Sequence, residues 1–207
     1  MSRTALLPAR GRPRAEQAGQ VDERILEAAW AVLLEVGPEV LTLDRVAAAA
    51  RASKQTIYAR HDGKLALLHA VLASRVSAAT AGLDILAEAG TAHAAFLDLL
   101  LRAVVAFGQP EKLMLDRVID WIDAASGEAE ARPTRAALAD QFCAMMAAHM
   151  ATAAGRWGLV VADPTMAARY WVEGVLGHLR CMAGNEAGQG VWATCFTTYF
   201  LRGVAGG

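Results

Sequence analysis

The chain has 207 residues, 55% of them apolar, and a formal net charge of −1, enough material for a small head fused to a larger body with a sizeable core. Its long apolar run from Ala136 to Ala154 is interrupted by Asp140, Gln141 and His149, and no stretch reaches the length of a membrane-spanning helix, so none is expected. The N-terminus carries arginines but no apolar signal-like stretch, and the widely spaced Cys143, Cys181 and Cys195 form neither a disulfide framework nor a zinc set, which reads as three reduced, small apolar residues of a cytoplasmic protein.

Charge is unevenly distributed. Residues 1–64 hold ten Lys/Arg and eight Asp/Glu, a net of +2, and residues 65–207 hold ten and thirteen, a net of −3. Four arginines and no acid fall in the first fourteen residues. A basic end on an acidic body fits a chain that presents that end to a polyanion. Residues 1–20, with two prolines and two glycines, read as a flexible basic arm. Within it Arg10-Gly11-Arg12-Pro13-Arg14 is a segment that, extended, can lie in a narrow A·T-rich minor groove, where Arg10, Arg12 and Arg14 meet a concentrated negative potential.

Ile25, Ala28, Ala29, Val32, Leu33 and Val36 recur at three- and four-residue spacing, which predicts an amphipathic helix from Asp22 to Val36, stopped by Gly37-Pro38. Thr42 is an N-cap type for a short helix through Ala50, with Val46, Ala47 and Ala50 inward. Ser53 caps a third short helix to about Ala59, and Asp62-Gly63 breaks the chain again. A longer helix follows from Lys64 to about Leu86, striped by Leu65, Leu68, Leu72 and Val76. The remainder reads as helices near 93–107, 112–123, 133–157, 164–183 and 190–204, with Asp163-Pro164 a cap and first-turn signal. Strand-type alternation is nearly absent. The fold class is therefore all-α, an N-terminal three-helix helix-turn-helix head over 21–64 and a C-terminal helical bundle over 65–207, about nine helices in total.

The third helix would expose Lys54, Gln55, Thr56 and Tyr58. Lysine can bind guanine edges and glutamine adenine edges, while threonine and tyrosine commonly bind phosphate. The block Leu41–Leu68 resembles the TetR-family DNA-binding domain: Val46-Ala47 stands at the Ile-Ala pair, Ser53 starts the recognition helix, Tyr58 lies near its end, and Lys64 opens the fourth helix. Two positions depart. Arg51 replaces the usual turn glycine, where a left-handed backbone costs a non-glycine residue roughly 1 kcal/mol, and Arg60-His61 replaces a His-Phe pair. The candidate DNA-binding set is Arg10, Arg12, Arg14, Thr42, Arg51, Ser53, Lys54, Gln55, Thr56, Tyr58, Arg60 and Lys64.

The resemblance implies a homodimer formed by the last two helices, with Tyr170, Trp171, Val175, Leu176 and Leu179 on one and Trp192, Phe196, Tyr199 and Phe200 on the other; ordinary intramolecular packing is the competing role for each. It also implies a small apolar or amphipathic effector bound in the body, lined by Phe96, Leu100, Phe107, Trp121, Phe142, Met145, Met146 and His149, for each of which core packing competes. His178 is a second histidine that could bond a ligand or sit satisfied in the core. Double-stranded DNA with a palindromic operator is the implied partner. No cofactor and no metal are expected. An enzyme is the rival reading: Asp116, Asp120 and Asp123 share one helix at spacings of four and three, a geometry able to hold a metal, although a solvated acidic face explains them as well. A second rival keeps the same head on an architectural protein that binds no ligand.

Overall fold

Helix boundaries follow from local cap chemistry. The computed structural model describes residues 12–83, 86–107, 111–127, 133–181 and 188–205. Among these it contains α1 (Arg12–Val40), α2 (Leu43–Ala49), α3 (Lys54–Tyr58), α4 (Gly63–Thr80), α5 (Ala92–Phe107), α6 (Glu111–Ser126), α7 (Thr134–Trp157), α8 (Pro164–Cys181) and α9 (Gln189–Ala205), and no strand. Thr42 accepts from the backbone N–H of Arg45, and Ser53 from that of Thr56, so both short helices start where their caps place them. Asp163 Oδ1 accepts from the backbone of Thr165 and Met166, each at 3.0 Å, opening α8. Gly37, at φ 77° and ψ 169°, breaks the helical path inside α1 just before Pro38, at the predicted stop.

Three boundaries differ from expectation. Residues 12–20, read as part of a flexible arm, are helical. Proline is tolerated in a first helical turn, as at Pro13, and Ala15, Glu16, Gln17 and Ala18 are good helix formers. Helix α4 ends at Thr80 rather than near Leu86, because Gly82 takes φ 83° in the turn that follows. The chain divides into compact units Met1–Ser74 and Arg75–Gly207, a division that falls inside α4.

In the first unit α2 packs on α1 and α3 packs on α2. Ile25, Ala29, Leu33, Leu41, Val46 and Ile57 are fully or almost fully buried, and so are Leu67, Leu68 and Val71 on α4. Each of these Ile, Leu and Val side chains contributes about 1.5–3 kcal/mol by leaving water. In the second unit α7 packs along α8, α5 packs against α9 and α8, and α6 rests on α7. Phe96, Leu99, Leu100, Met146 and Met150 form the dry centre, with Trp171 and Val175. Two polar groups reaching this core are tied down: His149 Nε2 lies 2.7 Å from the carbonyl of Leu83, and Trp157 Nε1 donates to the carbonyl of Ala89. Rings then run along α9, where Trp192, Phe196 and Phe200 stack in sequence, with His178 of α8 lying flat on Trp192 (centroids 3.5 Å apart, planes within 3°) and Phe96 of α5 beside Phe200. The cysteines are free; Cys143 is half-buried, whereas Cys181 and Cys195 are exposed rather than core residues.

Candidate nucleic-acid interface and ligand cleft

Helix α3 has one turn and a half in which to sort its side chains. Ile57 turns inward and is fully buried, which commits Lys54, Gln55 and Tyr58 to the surface. Tyr58 is 57% exposed, far more than a structural tyrosine requires. Thr56 is half-buried, and its hydroxyl lies 2.8 Å from that of Ser53, so it serves the cap as much as the surface. Lys54 is not a loose cation: its Nζ donates to Asp44 Oδ2 at 2.5 Å, which ties α3 to the first turn of α2. Thr42, Arg45 and Arg51 are exposed beside this face; Arg45 is a cation that the sequence pattern did not single out.

The turn between α2 and α3 settles the question posed by Arg51. It has φ 49°, the one non-glycine residue in the left-handed region among the described residues. The helix-turn-helix therefore keeps the turn in which glycine is usual and carries its strain on an arginine. Arg60 pairs with Asp22 of α1, and its side chain is only 27% exposed. Its neighbour His61 is half-buried with an unpartnered Nε2; burial lowers its pKa, the Asp22 carboxylate raises it and Arg60 lowers it, with a net fall. Lys64 Nζ donates to the carbonyl of Glu39 at 3.0 Å, and burial lowers its pKa against the pull of Glu39. Lys64 and Arg60 thus lock α1 to the segment after α3, which is a structural task beside the expected phosphate contact. Arg10 falls outside the described residues, as do the side chains of Arg12 and Arg14; the backbone of the last two is in the first turn of α1.

The second unit holds a narrow apolar cleft lined by Leu83, Leu99, Ala103, Phe107, Phe142, Met145, Trp171, Val172, Val175 and Leu176, with a volume of about 20 Å³, room for little more than one water. Phe107 and Phe142 meet edge to face across it. Of the predicted effector set, Phe107, Phe142 and Met145 come together here. Phe96, Leu100 and Met146 are instead sealed core, His149 is a core histidine bonded to Leu83, and Trp121 is half-buried on α6 away from the cleft. Three expected interface residues also change place: Trp171 and Val175 are 4% and 2% exposed inside their own unit, and with Leu176 they line the cleft. The apolar side of α8 faces α7 and α5, which sequence periodicity alone could not distinguish from a partner subunit. Tyr170 and Tyr199 do point outward, at 62% and 71% exposure, and with Met166 and Phe200 border an open hollow where α8 and α9 meet. Leu179, Trp192 and Phe196 are half-buried.

The acids of the α6 face are already partnered. Arg135 donates to Asp116 and Asp120 at 2.8 Å each, Lys112 adds a second cation to Asp116, and Asp123 Oδ1 accepts from the backbone of Thr134 at 2.7 Å to cap α7. Burial pushes the Asp116 carboxyl up, but the hydrogen bond from Arg135 and the Lys112 charge hold it below the ordinary range. No group of three or more metal-ligating side chains occurs among the described residues. No single helix among them is long and apolar enough to cross a membrane.

Residues 25–71 match the family model of the bacterial regulatory proteins, tetR family. Among solved structures, the chain is similar to a Mesorhizobium loti protein assigned to the TetR-family transcriptional regulators (TM-score 0.73, 21% identity, 89% of this chain and 96% of that one). It is similar to NalD of Pseudomonas aeruginosa, the secondary repressor of a multidrug efflux pump (TM-score 0.60, 17% identity, 92% and 98%). It is also similar to SmeT in complex with triclosan (TM-score 0.59, 20% identity, 87% and 90%). At these identities the likeness is one of fold. A comparison with curated proteins finds none that matches.

Proposed function

We propose, from the premise that the head of this chain belongs to the tetR family of bacterial regulatory proteins, that the chain is a sequence-specific DNA-binding transcriptional regulator: a homodimeric repressor released from its operator when a small molecule enters the body. The observation that carries the reading is α3, capped by Ser53, anchored by buried Ile57, and presenting Lys54, Gln55 and Tyr58 outward. Gln55 and Lys54 are assigned to base edges, Thr56 and Tyr58 with Thr42, Ser53, Arg51, Arg60 and Lys64 to phosphate and its approach, and Arg10, with Arg12 and Arg14 once the first turn of α1 unwinds, to a neighbouring minor groove.

Five helical residues read few base pairs, so two copies on a twofold axis are required, set about 34–36 Å apart to meet successive major grooves. The outward tyrosines Tyr170 and Tyr199 suit such a pairing through α8 and α9, with Leu179, Trp192, Phe196 and Phe200 behind them. Repression relieved by a ligand is supported by the NalD and SmeT likenesses, the former a repressor and the latter a triclosan complex. The apolar cleft is the site assigned to the effector, which has to widen it to enter, favours one body shape and so biases the spacing of the heads.

The test is selection of bound duplexes from a random DNA pool with the full chain at fixed salt. A palindrome with two half-sites is the expected product, and Gln55→Ala is expected to relax base preference at one position per half-site. No enriched sequence from a folded dimer would overturn the proposal.

A further inference from the structure

The outer surface of the head carries an acid among its cations. Asp44, in the first turn of α2, is exposed beside Arg45, Arg51, Lys54 and Gln55. The cations attract phosphate and Asp44 repels it. Its carboxylate is taken by Lys54, the first residue of α3, whose Nζ donates to Oδ2 at 2.5 Å. The two side chains are 65% and 56% exposed, so the pair adds little to the stability of the head. It is, however, a hydrogen-bond donor held beside an acceptor. The major-groove edge of a base pair offers the complementary couple. On G·C, guanine O6 accepts and cytosine N4 donates its second proton; on T·A, thymine O4 accepts and adenine N6 donates. In each case the two atoms are hydrogen-bonded to one another, about 2.9–3.0 Å apart, close to the separation of Lys54 Nζ and Asp44 Oδ2. Guanine adds N7 beside its O6 as a second acceptor, where thymine has a methyl group.

Resting on the reading that α3 enters a major groove, we propose that Asp44 and Lys54 read one base pair per half-site as a unit, Lys54 donating to the keto base and Asp44 accepting from the amino group of the base paired with it. An ammonium on a four-carbon stem has no direction of its own; the carboxylate supplies one, so the unit senses which way round the base pair lies. With guanine under Lys54, O6 and N7 both accept and cytosine donates to Asp44. With thymine there, O4 accepts and adenine donates, and the second acceptor is missing. Reversed, C·G and A·T set an amino group against the ammonium and a carbonyl against the carboxylate. The order of preference is G·C, then T·A, with A·T and C·G well behind.

The experiment compares the full wild-type chain with Asp44→Ala and Asp44→Asn at one salt concentration. Duplexes are first selected from a random pool; four are then titrated that carry G·C, T·A, A·T or C·G at the position concerned in one half-site. The wild type is expected to show the stated order at a position other than the one that Gln55→Ala relaxes, with T·A favoured over A·T about fivefold or more and G·C over C·G by more still. In both variants affinity for all four duplexes rises as the acid leaves, and most for the reversed pairs. The preference for T·A over A·T vanishes, because Lys54 alone meets one acceptor on either, thymine O4 or adenine N7, while guanine stays favoured. Equal gains on all four duplexes, with the order kept, would reduce Asp44 to a counter-charge and overturn the proposal. A selected site with no position of that order overturns it on the wild type alone, should the variants not fold. Neither result touches the regulator reading, which fails if the folded dimer enriches no sequence at all.

Discussion

Replacing Arg51 by glycine tests whether the turn between α2 and α3 stores strain. At φ 49° the arginine sits where its Cβ crowds the following carbonyl, at a cost of about 1–2 kcal/mol. Glycine removes that cost in the folded head but adds chain freedom when unfolded, worth about 0.5–1 kcal/mol against folding. The difference leaves Arg51→Gly more stable by roughly 0.5–1 kcal/mol, or about 2–8 °C for a unit the size of the head. Arg51→Ala is the control, because it deletes the same cation while keeping the Cβ. Hydrogen exchange over α2 and α3, read by mass spectrometry through a urea series, isolates the head from the body. Duplex binding is measured on the same proteins, and if the Arg51 cation meets phosphate, both variants lose about 0.9 from the slope of log affinity against log salt. Should Arg51→Gly prove no more stable than Arg51→Ala, the strain argument fails.

Asp44→Asn releases Lys54 and removes an acid from the proposed DNA face; duplex affinity at low salt is expected to rise about three- to tenfold and the gain to shrink as salt is added, and an unchanged fluorescence anisotropy titration would count against that face. The same change costs the head no more than about 1 kcal/mol, since the pair is well exposed. In the body, Gly174→Ala would bring its new Cβ to 2.5 Å from the Phe196 ring, and overpacking of this kind costs about 1–3 kcal/mol, offset by the about 1 kcal/mol that alanine gains inside a helix, for a net loss of up to about 2 kcal/mol. On Gly155→Ala, where nothing lies within 4 Å, only the helix preference for alanine acts, a gain of about 1 kcal/mol. Thermal melting should therefore move in opposite directions for the two alanines.

Much of the head was legible because its signals are short-range. The caps at Thr42 and Ser53, the stop at Gly37-Pro38 and the inward trio Val46, Ala47 and Ala50 each depend on residues within one helical turn, as does the cap at Asp163 in the body. The left-handed turn at Arg51 was suggested by the family resemblance, which has glycine there, and not by the arginine itself. What the sequence withheld is long-range. Lys54 and Asp44 are ten positions apart and Lys64 and Glu39 twenty-five, so neither partner was visible from spacing. In the body, hydrophobic periodicity marks an apolar face without naming its counterpart. Trp171 and Val175 thus looked like an intersubunit surface, and Phe96, Leu100 and Met146 like pocket walls, when all five pack inside one unit. Cleft residues such as Leu83 and Ala103 carry no chemical signal of their own; only the packing of α5, α7 and α8 gathers them.

The clasp of Lys112, Asp116, Asp120 and Arg135 bears on where the body's charge sits. Taken by residue, the segment after position 64 carries three surplus negatives. Asp116 and Asp120 are matched one for one by Lys112 and Arg135, which that count already includes, so the surplus lies outside this quartet. Such a quartet has no monopole, and its field dies away faster than that of a lone carboxylate, before the screening length of about 8 Å at physiological salt is even reached. To an approaching polyanion this ridge, the most acid-dense stretch of α6, is electrically close to silent.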